Sequence, residues 1–156
     1  MTRKSLTIVV GADNAGYPLK ERLKQVLLAN ARVAEVIDLG VDSAADDLPY
    51  PHIGIKAAEI VRGGQADRAL LCCGTGIGVA ISANKVQGVR ATVAHDSYSV
   101  ERSVLSNNAQ VLCFGARVIG GELAEKLTQE WLNHEFDERS LSAAKVAIID
   151  EYEAPQ

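Results

Sequence analysis

The chain has 156 residues, 47% of them hydrophobic but only 4% aromatic, and a net charge of −4. That length suffices for one domain with a real core, and apolar mass drawn from Ala, Val, Leu and Ile suits buried parallel strands under helices. The acidic balance, with no Lys/Arg block, speaks against a nucleic-acid partner; three cysteines, two adjacent, make a poor disulfide framework; and no apolar stretch reaches membrane-spanning length.

Met1 to Ser5 lead into an apolar run too short for the core of a signal peptide, so a cytoplasmic location is expected. That run, Leu6 to Gly11, is β-branched and closed by glycine, which predicts a first strand. A loop, Ala12 to Tyr17, follows, and Pro18 suits the first turn of a helix. Leu19, Leu23, Val26 and Leu27 then recur at helical spacing, with Lys20, Glu21, Arg22 and Lys24 between them as the polar face. Val33 to Leu39 predicts strand two. Asp42 to Asp47 is acidic loop, and the segment Leu48-Pro49-Tyr50-Pro51-His52 predicts no helix before its last proline. Ile53, Ala57, Ile60 and Val61 mark the next helix, stopped by Gly63-Gly64.

Arg68 to Cys73 predicts strand three. It runs into a glycine-dense turn, Gly74-Thr75-Gly76-Ile77-Gly78, and a small-residue helix from Val79 to Lys85. Strand four is expected over Val89 to Ala94, ending at His95-Asp96, with a helix over Tyr98 to Leu105. Ser106-Asn107-Asn108 is a turn by composition. Ala109 to Gly115 predicts strand five, Val118 to Leu132 contains a long amphipathic helix, and a last helix covers Leu141 to Tyr152. Five strands alternating with helices define an α/β fold: a three-layer, Rossmann-like sandwich with a five-stranded parallel sheet and a C-terminal helix. No repeat or linker suggests a second domain in residues 1–156.

Ligands of such sheets bind beyond the carboxyl ends of the strands. Asp13, Cys73, Thr75, His95 and Asp96 all fall at those ends. A thiol facing uncovered backbone N–H groups suits proton abstraction beside a carbonyl; a buried structural cysteine before a tight turn is the alternative reading. The glycines do not make a dinucleotide site, because strand one ends in Gly11-x-Asp13 without the G-x-G-x-x-G fingerprint. A cysteine-phosphatase loop also fails, since Val79 stands where its arginine is needed.

Six stretches in register resemble the type B ribose-5-phosphate isomerase family, which includes the galactose-6-phosphate isomerase subunits. They are Gly11-Ala12-Asp13-Asn14-Ala15-Gly16, Tyr50-Pro51-His52, Cys73-Gly74-Thr75-Gly76-Ile77-Gly78, Ala83-Asn84-Lys85, Gly88-Val89-Arg90-Ala91 and Phe114-Gly115-Ala116-Arg117-Val118. The resemblance implies aldose–ketose isomerisation of a short sugar phosphate through an enediol(ate), with no metal or organic cofactor. It implies Cys73 as the base between the first two carbons, Thr75 moving protons among the oxygens, and Asp13 near the sugar hydroxyls. Substrate contacts are implied for Asn14, Tyr50, Gly74, Gly76, Ile77, Gly78, His95, Asn107 and Arg117. Arg139 and Lys145 are candidate phosphate ligands from residues 139–156, a segment expected to pack on a partner subunit in a homodimer or dimer of dimers.

Two departures concern ring opening. Family members acting on ribose 5-phosphate carry a histidine after the first-loop aspartate and another before strand five; here these positions hold Asn14 and Ser106. Ribose 5-phosphate is mostly a closed furanose, whereas a tetrose 4-phosphate cannot close a five-membered ring because the required oxygen carries the phosphate. The expectation is therefore an open-chain substrate, erythrulose 4-phosphate and erythrose 4-phosphate, with ribose 5-phosphate and then a galactose 6-phosphate role as alternatives. His95 is either a replacement ring opener or a buried or interface histidine. A non-catalytic sugar-phosphate-binding protein is the alternative from another class.

Overall fold

The computed structural model describes residues 3–155. Its elements run β1 (Leu6–Ala12), α1 (Tyr17–Leu28), β2 (Val33–Asp38), α2 (Tyr50–Arg62), β3 (Arg68–Cys73), α3 (Ile77–Ala83), β4 (Ala91–Val93), α4 (Ser97–Leu105), β5 (Val111–Gly115), α5 (Gly121–Asn133) and α6 (Leu141–Glu153). The five strands form one parallel sheet in the order β2-β1-β3-β5-β4. The chain thus leaves β1 toward one edge and returns on its other side as β3, so a crevice opens where the two connections diverge.

Side chains alternate across each strand, and the two faces bury different halves of the core. Ile8, Val10, Leu70, Cys72, Leu112 and Phe114 pack under α1, α4 and α5, with Leu23, Val104 and Trp131 among their neighbours. Val9, Ala69, Leu71, Cys73, Val111 and Cys113 face α2 and α3, meeting Ile53, Ala57 and Val79. The adjacent cysteines therefore belong to opposite layers. Only one of them can face the cleft.

Three details differ from the sequence reading. Helix α2 starts at Tyr50, ahead of Pro51, with Pro49 as its cap in extended conformation. N–H groups of a first turn have no intrahelical partner, so a proline there loses no bond. Strand β4 keeps three of its expected six residues, and the Asn84 side chain bonds both Ala91 N–H (2.7 Å) and Ala91 C=O (2.9 Å) along its outer edge. Lys20, expected on the polar face of α1, is 1% exposed. Its ammonium reaches Asp38 Oδ1 and the Val41 carbonyl, both at 2.9 Å, and it is partnered there rather than solvated. Helix α6 buries only Val146 and leaves Leu141, Ile148, Ile149 and Tyr152 exposed.

Candidate active site

Two strand ends build the site. At the end of β1 the chain turns through Asp13, whose carboxylate accepts the Gly16 N–H at 3.0 Å, so this side chain shapes the approach to α1 as well as facing outward. One strand over, Cys73 is the last residue of β3, and its sulfur accepts the N–H of Gly76 at 3.1 Å. Gly76 has φ +78°, and a Cβ there would stand 2.9 Å from the Phe114 carbonyl carbon. Only glycine lets the loop turn back onto its own thiol at this point. The Thr75 hydroxyl accepts the Ile77 N–H at 3.2 Å and is otherwise presented outward.

Two side chains close over this loop. The Arg117 guanidinium lies against Gly74, and the Tyr50 ring lies on Gly78, where a Cβ would come within 2.5 Å of it. Gly78 thus lets Tyr50 form one wall. The result is a cleft of about 460 Å³ lined by Asp13, Asn14, Tyr50, Cys73, Gly74, Thr75, Ile77, Gly78 and Arg117, all of them candidates from the sequence. Gly76 lies buried beneath it in the loop. Ala15 and Ile81 also line the cleft and were not singled out; Ile81 follows Ile77 by one helical turn on the exposed face of α3, a spacing that would have found it.

Four candidates lie elsewhere in the single chain. His95 follows β4 outside the cleft, its Nε2 accepting the Gly115 N–H at 2.9 Å and its ring stacked on Phe114. Burial pushes its pKa down, against an opposing pull from Asp96. Asn107 lines a second cavity of about 370 Å³ beside β4, with Asn84, Arg90, Thr92 and Ile149. Arg139 is 93% exposed beside Asp137, and Lys145 is exposed on α6.

Chemistry separates the three cysteines. Burial pushes the Cys72 and Cys113 thiols far up, and like charge from neighbouring sulfurs adds to it, so both stay protonated inside the sheet. Cys73 alone lines the cleft. A larger depression of about 670 Å³ opens at the opposite ends of the strands, away from the thiol and the glycine loop. Lys4 pairs with Asp67, Arg32 with Glu135, and Arg68 donates to the Trp131 and His134 carbonyls. Among the described residues no three His, Cys, Asp or Glu side chains gather as a metal-ligand set, and no helix is long and apolar enough to cross a membrane.

A doubly wound sheet with a thiol at one strand end, a glycine loop folded over it and an arginine beside it makes a small-molecule site at the switch point of the fold. Comparison with known proteins places it further: the profile described as Ribose/Galactose Isomerase matches residues 8–149, and the chain belongs to that family. It is 60% identical over 149 residues to D-erythrulose-4-phosphate isomerase 2 of Mycolicibacterium smegmatis, covering 96% of this chain and 98% of that one. It is 43% identical to D-erythrulose-4-phosphate isomerase of Pectobacterium atrosepticum, covering 95% of each. Among solved structures, ribose-5-phosphate isomerase B of Clostridium thermocellum superposes with a TM-score of 0.88 at 40% identity, over 94% of this chain and 97% of that one.

Proposed function

We propose that the cleft interconverts D-erythrulose 4-phosphate and D-erythrose 4-phosphate through an enediol(ate). The observation that carries the substrate is the amide of Asn14 beside Asp13 in the cleft. The chain has three histidines, His52, His95 and His134, and none of them lines it. Asn14 occupies the position beside Asp13 where an acid–base group would open a furanose ring, and an amide does not titrate. His95, the one candidate replacement, has its Nε2 committed to a backbone N–H. Such a site matches a sugar phosphate that is already open. The names of the two relatives reported above agree with this reading.

In this mechanism the Cys73 sulfur, as thiolate, takes the proton from C1 of the ketose and returns it to C2. Backbone N–H groups of the Gly74 to Gly78 turn face the oxygen on which charge develops. Thr75 moves the remaining proton between the two oxygens, Asp13 and Tyr50 hold the hydroxyls, and Arg117 receives the phosphate. The same reading pairs two copies through the exposed apolar side of α6, which brings Arg139 and Lys145 near a partner's cleft, in a cytoplasmic enzyme. Sedimentation is expected to show a species of at least twice the chain mass. A monomer would remove those two residues from the site.

The test of the substrate is kcat/KM on erythrulose 4-phosphate against ribose 5-phosphate. The tetrose is expected to lead by about 100-fold or more, a gap of ~2.7 kcal/mol in transition-state binding. A lead for ribose 5-phosphate would overturn the open-chain assignment.

A further inference from the structure

We propose that His95 is a positioning residue: its imidazole stands in for the end of β4 and, through Gly115, holds the wall on which the Cys73–Gly76 loop rests. The proposal builds on the reading of the Cys73 cleft as the site of isomerisation.

Strand β4 pairs with β5 only at Ala91↔Val111, Thr92↔Leu112 and Val93↔Cys113. Strand β5 runs on to Gly115, which pairs with Cys73 on its other side. Beyond Val93 the β4 side of this end has no strand to accept a hydrogen bond, and a buried N–H left unpaired is costly. His95 Nε2 fills that place, 2.9 Å from the Gly115 nitrogen, with the ring packed along Phe114.

Gly115 is the backing of the catalytic loop. The next two N–H groups donate to the loop itself, Ala116 to the Cys73 carbonyl at 2.8 Å and Arg117 to the Gly74 carbonyl at 3.0 Å. A Cβ on Gly115 would stand 2.6 Å from the Thr75 carbonyl carbon, and one on Gly76 would meet the Phe114–Gly115 peptide. The two backbones are therefore in direct contact. A shift of the Gly115 peptide moves the sulfur, the loop amides and Arg117 together. An imidazole accepts at Nε2 only when neutral and protonated at Nδ1, and the depressed pKa of His95 fits that form. This role needs no contact with substrate, in keeping with the place of His95 outside the cleft.

The experiment compares His95→Leu, which removes the acceptor, with His95→Gln, whose side-chain oxygen reaches about where Nε2 lies. His95→Leu is expected to lower kcat by roughly 10- to 100-fold through misplacement of the loop, with KM within about twofold, as for a loss confined to the transition state. His95→Gln is expected to recover most of that loss. Nitrogen-15 spectra of the unaltered protein are expected to show a bare Nε2 and a protonated Nδ1 for His95, a readout that holds even if the leucine variant folds poorly. A protonated Nε2 would overturn the proposal, and so would wild-type turnover in His95→Leu. Equal losses in both variants would overturn it too, by making the imidazole itself a reacting group. Cys73→Ala serves as the control: activity surviving there would overturn the site reading instead.

Discussion

Replacement of Cys73 by alanine is expected to reduce kcat by roughly 10²- to 10⁴-fold, the usual contribution of a positioned acid–base group, while sugar-phosphate binding measured by calorimetry persists. The reason lies in how the site is divided. Arg117, Asp13, Tyr50 and the loop amides hold the substrate's oxygens, and the sulfur alone faces its carbon-bound hydrogens in the proposed mechanism. Removing sulfur leaves the binding groups in place, so kcat falls and KM changes little. Cys72→Ala is the internal contrast. Its side chain lies in the opposite layer, among the residues packed under α1, α4 and α5, and its thiol is held protonated by burial. That variant is expected to lose some stability and to keep its activity. Exchange of substrate hydrogen with solvent deuterium reads the chemical step directly. Exchange at near wild-type rate in Cys73→Ala would dismiss the thiol as the base.

What the sequence discloses and what it conceals follow the range of the interactions concerned. Strand β3 is legible to its last residue because an apolar run against a glycine turn is a local signal, and Asp13 and Cys73 are legible as neighbours because a parallel sheet gathers all its carboxyl ends on one side. The order of the strands is not written locally. That β5 inserts between β3 and β4 places Gly115 behind the loop and strands His95 on the far side of it, and no periodicity encodes this. The partner of the outer edge of β4 has the same character: Asn84, seven residues upstream, bonds Ala91 there with its amide. Tyr50 was legible as a candidate, but its seat on Gly78 depends on how α2 meets α3. Lys20 was the least legible of all, since helical spacing alone assigns it to solvent. Its partners come from the end of β2 and the loop beyond.

Lys20 accordingly supplies the largest expected effect on stability. Its side chain is almost fully enclosed, with Asp38 and the Val41 carbonyl at 2.9 Å and Glu21 at 3.0 Å. Asp38 also accepts from Lys24 at 2.7 Å and from the Gly40 N–H at 2.8 Å. Lys20→Met keeps the aliphatic length but leaves a buried carbonyl and a half-buried carboxylate without this donor. Breaking a buried pair costs ~3–5 kcal/mol, and with Lys24 still present the lower end, about 3 kcal/mol, is expected. At about 2–4 °C per kcal/mol this lowers Tm by roughly 6–12 °C. Lys24→Met, at a more exposed position, is expected to cost less than about 1 kcal/mol. Acid adds a second reading. Burial alone would raise the Asp38 pKa, but hydrogen bonds from Lys24, Lys20 and Gly40 outweigh it and hold the carboxyl below its ordinary 3.8. A carboxylate with a depressed folded-state pKa stabilises the protein above the unfolded value, and that contribution disappears as pH falls through the folded value. Stability should therefore fall below about pH 4 in the unaltered chain, and less steeply in Lys20→Met, where part of the depression is already gone. The segment held by Lys20 also brackets β1, since Ala12 donates to the Gly40 carbonyl and accepts from the Val41 N–H, both at 2.8 Å, one residue before Asp13. Loss of the lysine should reach the site by that route, so kcat is expected to fall together with Tm. An unchanged Tm in Lys20→Met would show that Lys24 and solvent suffice for Asp38, and that the end of β1 holds without the buried charge.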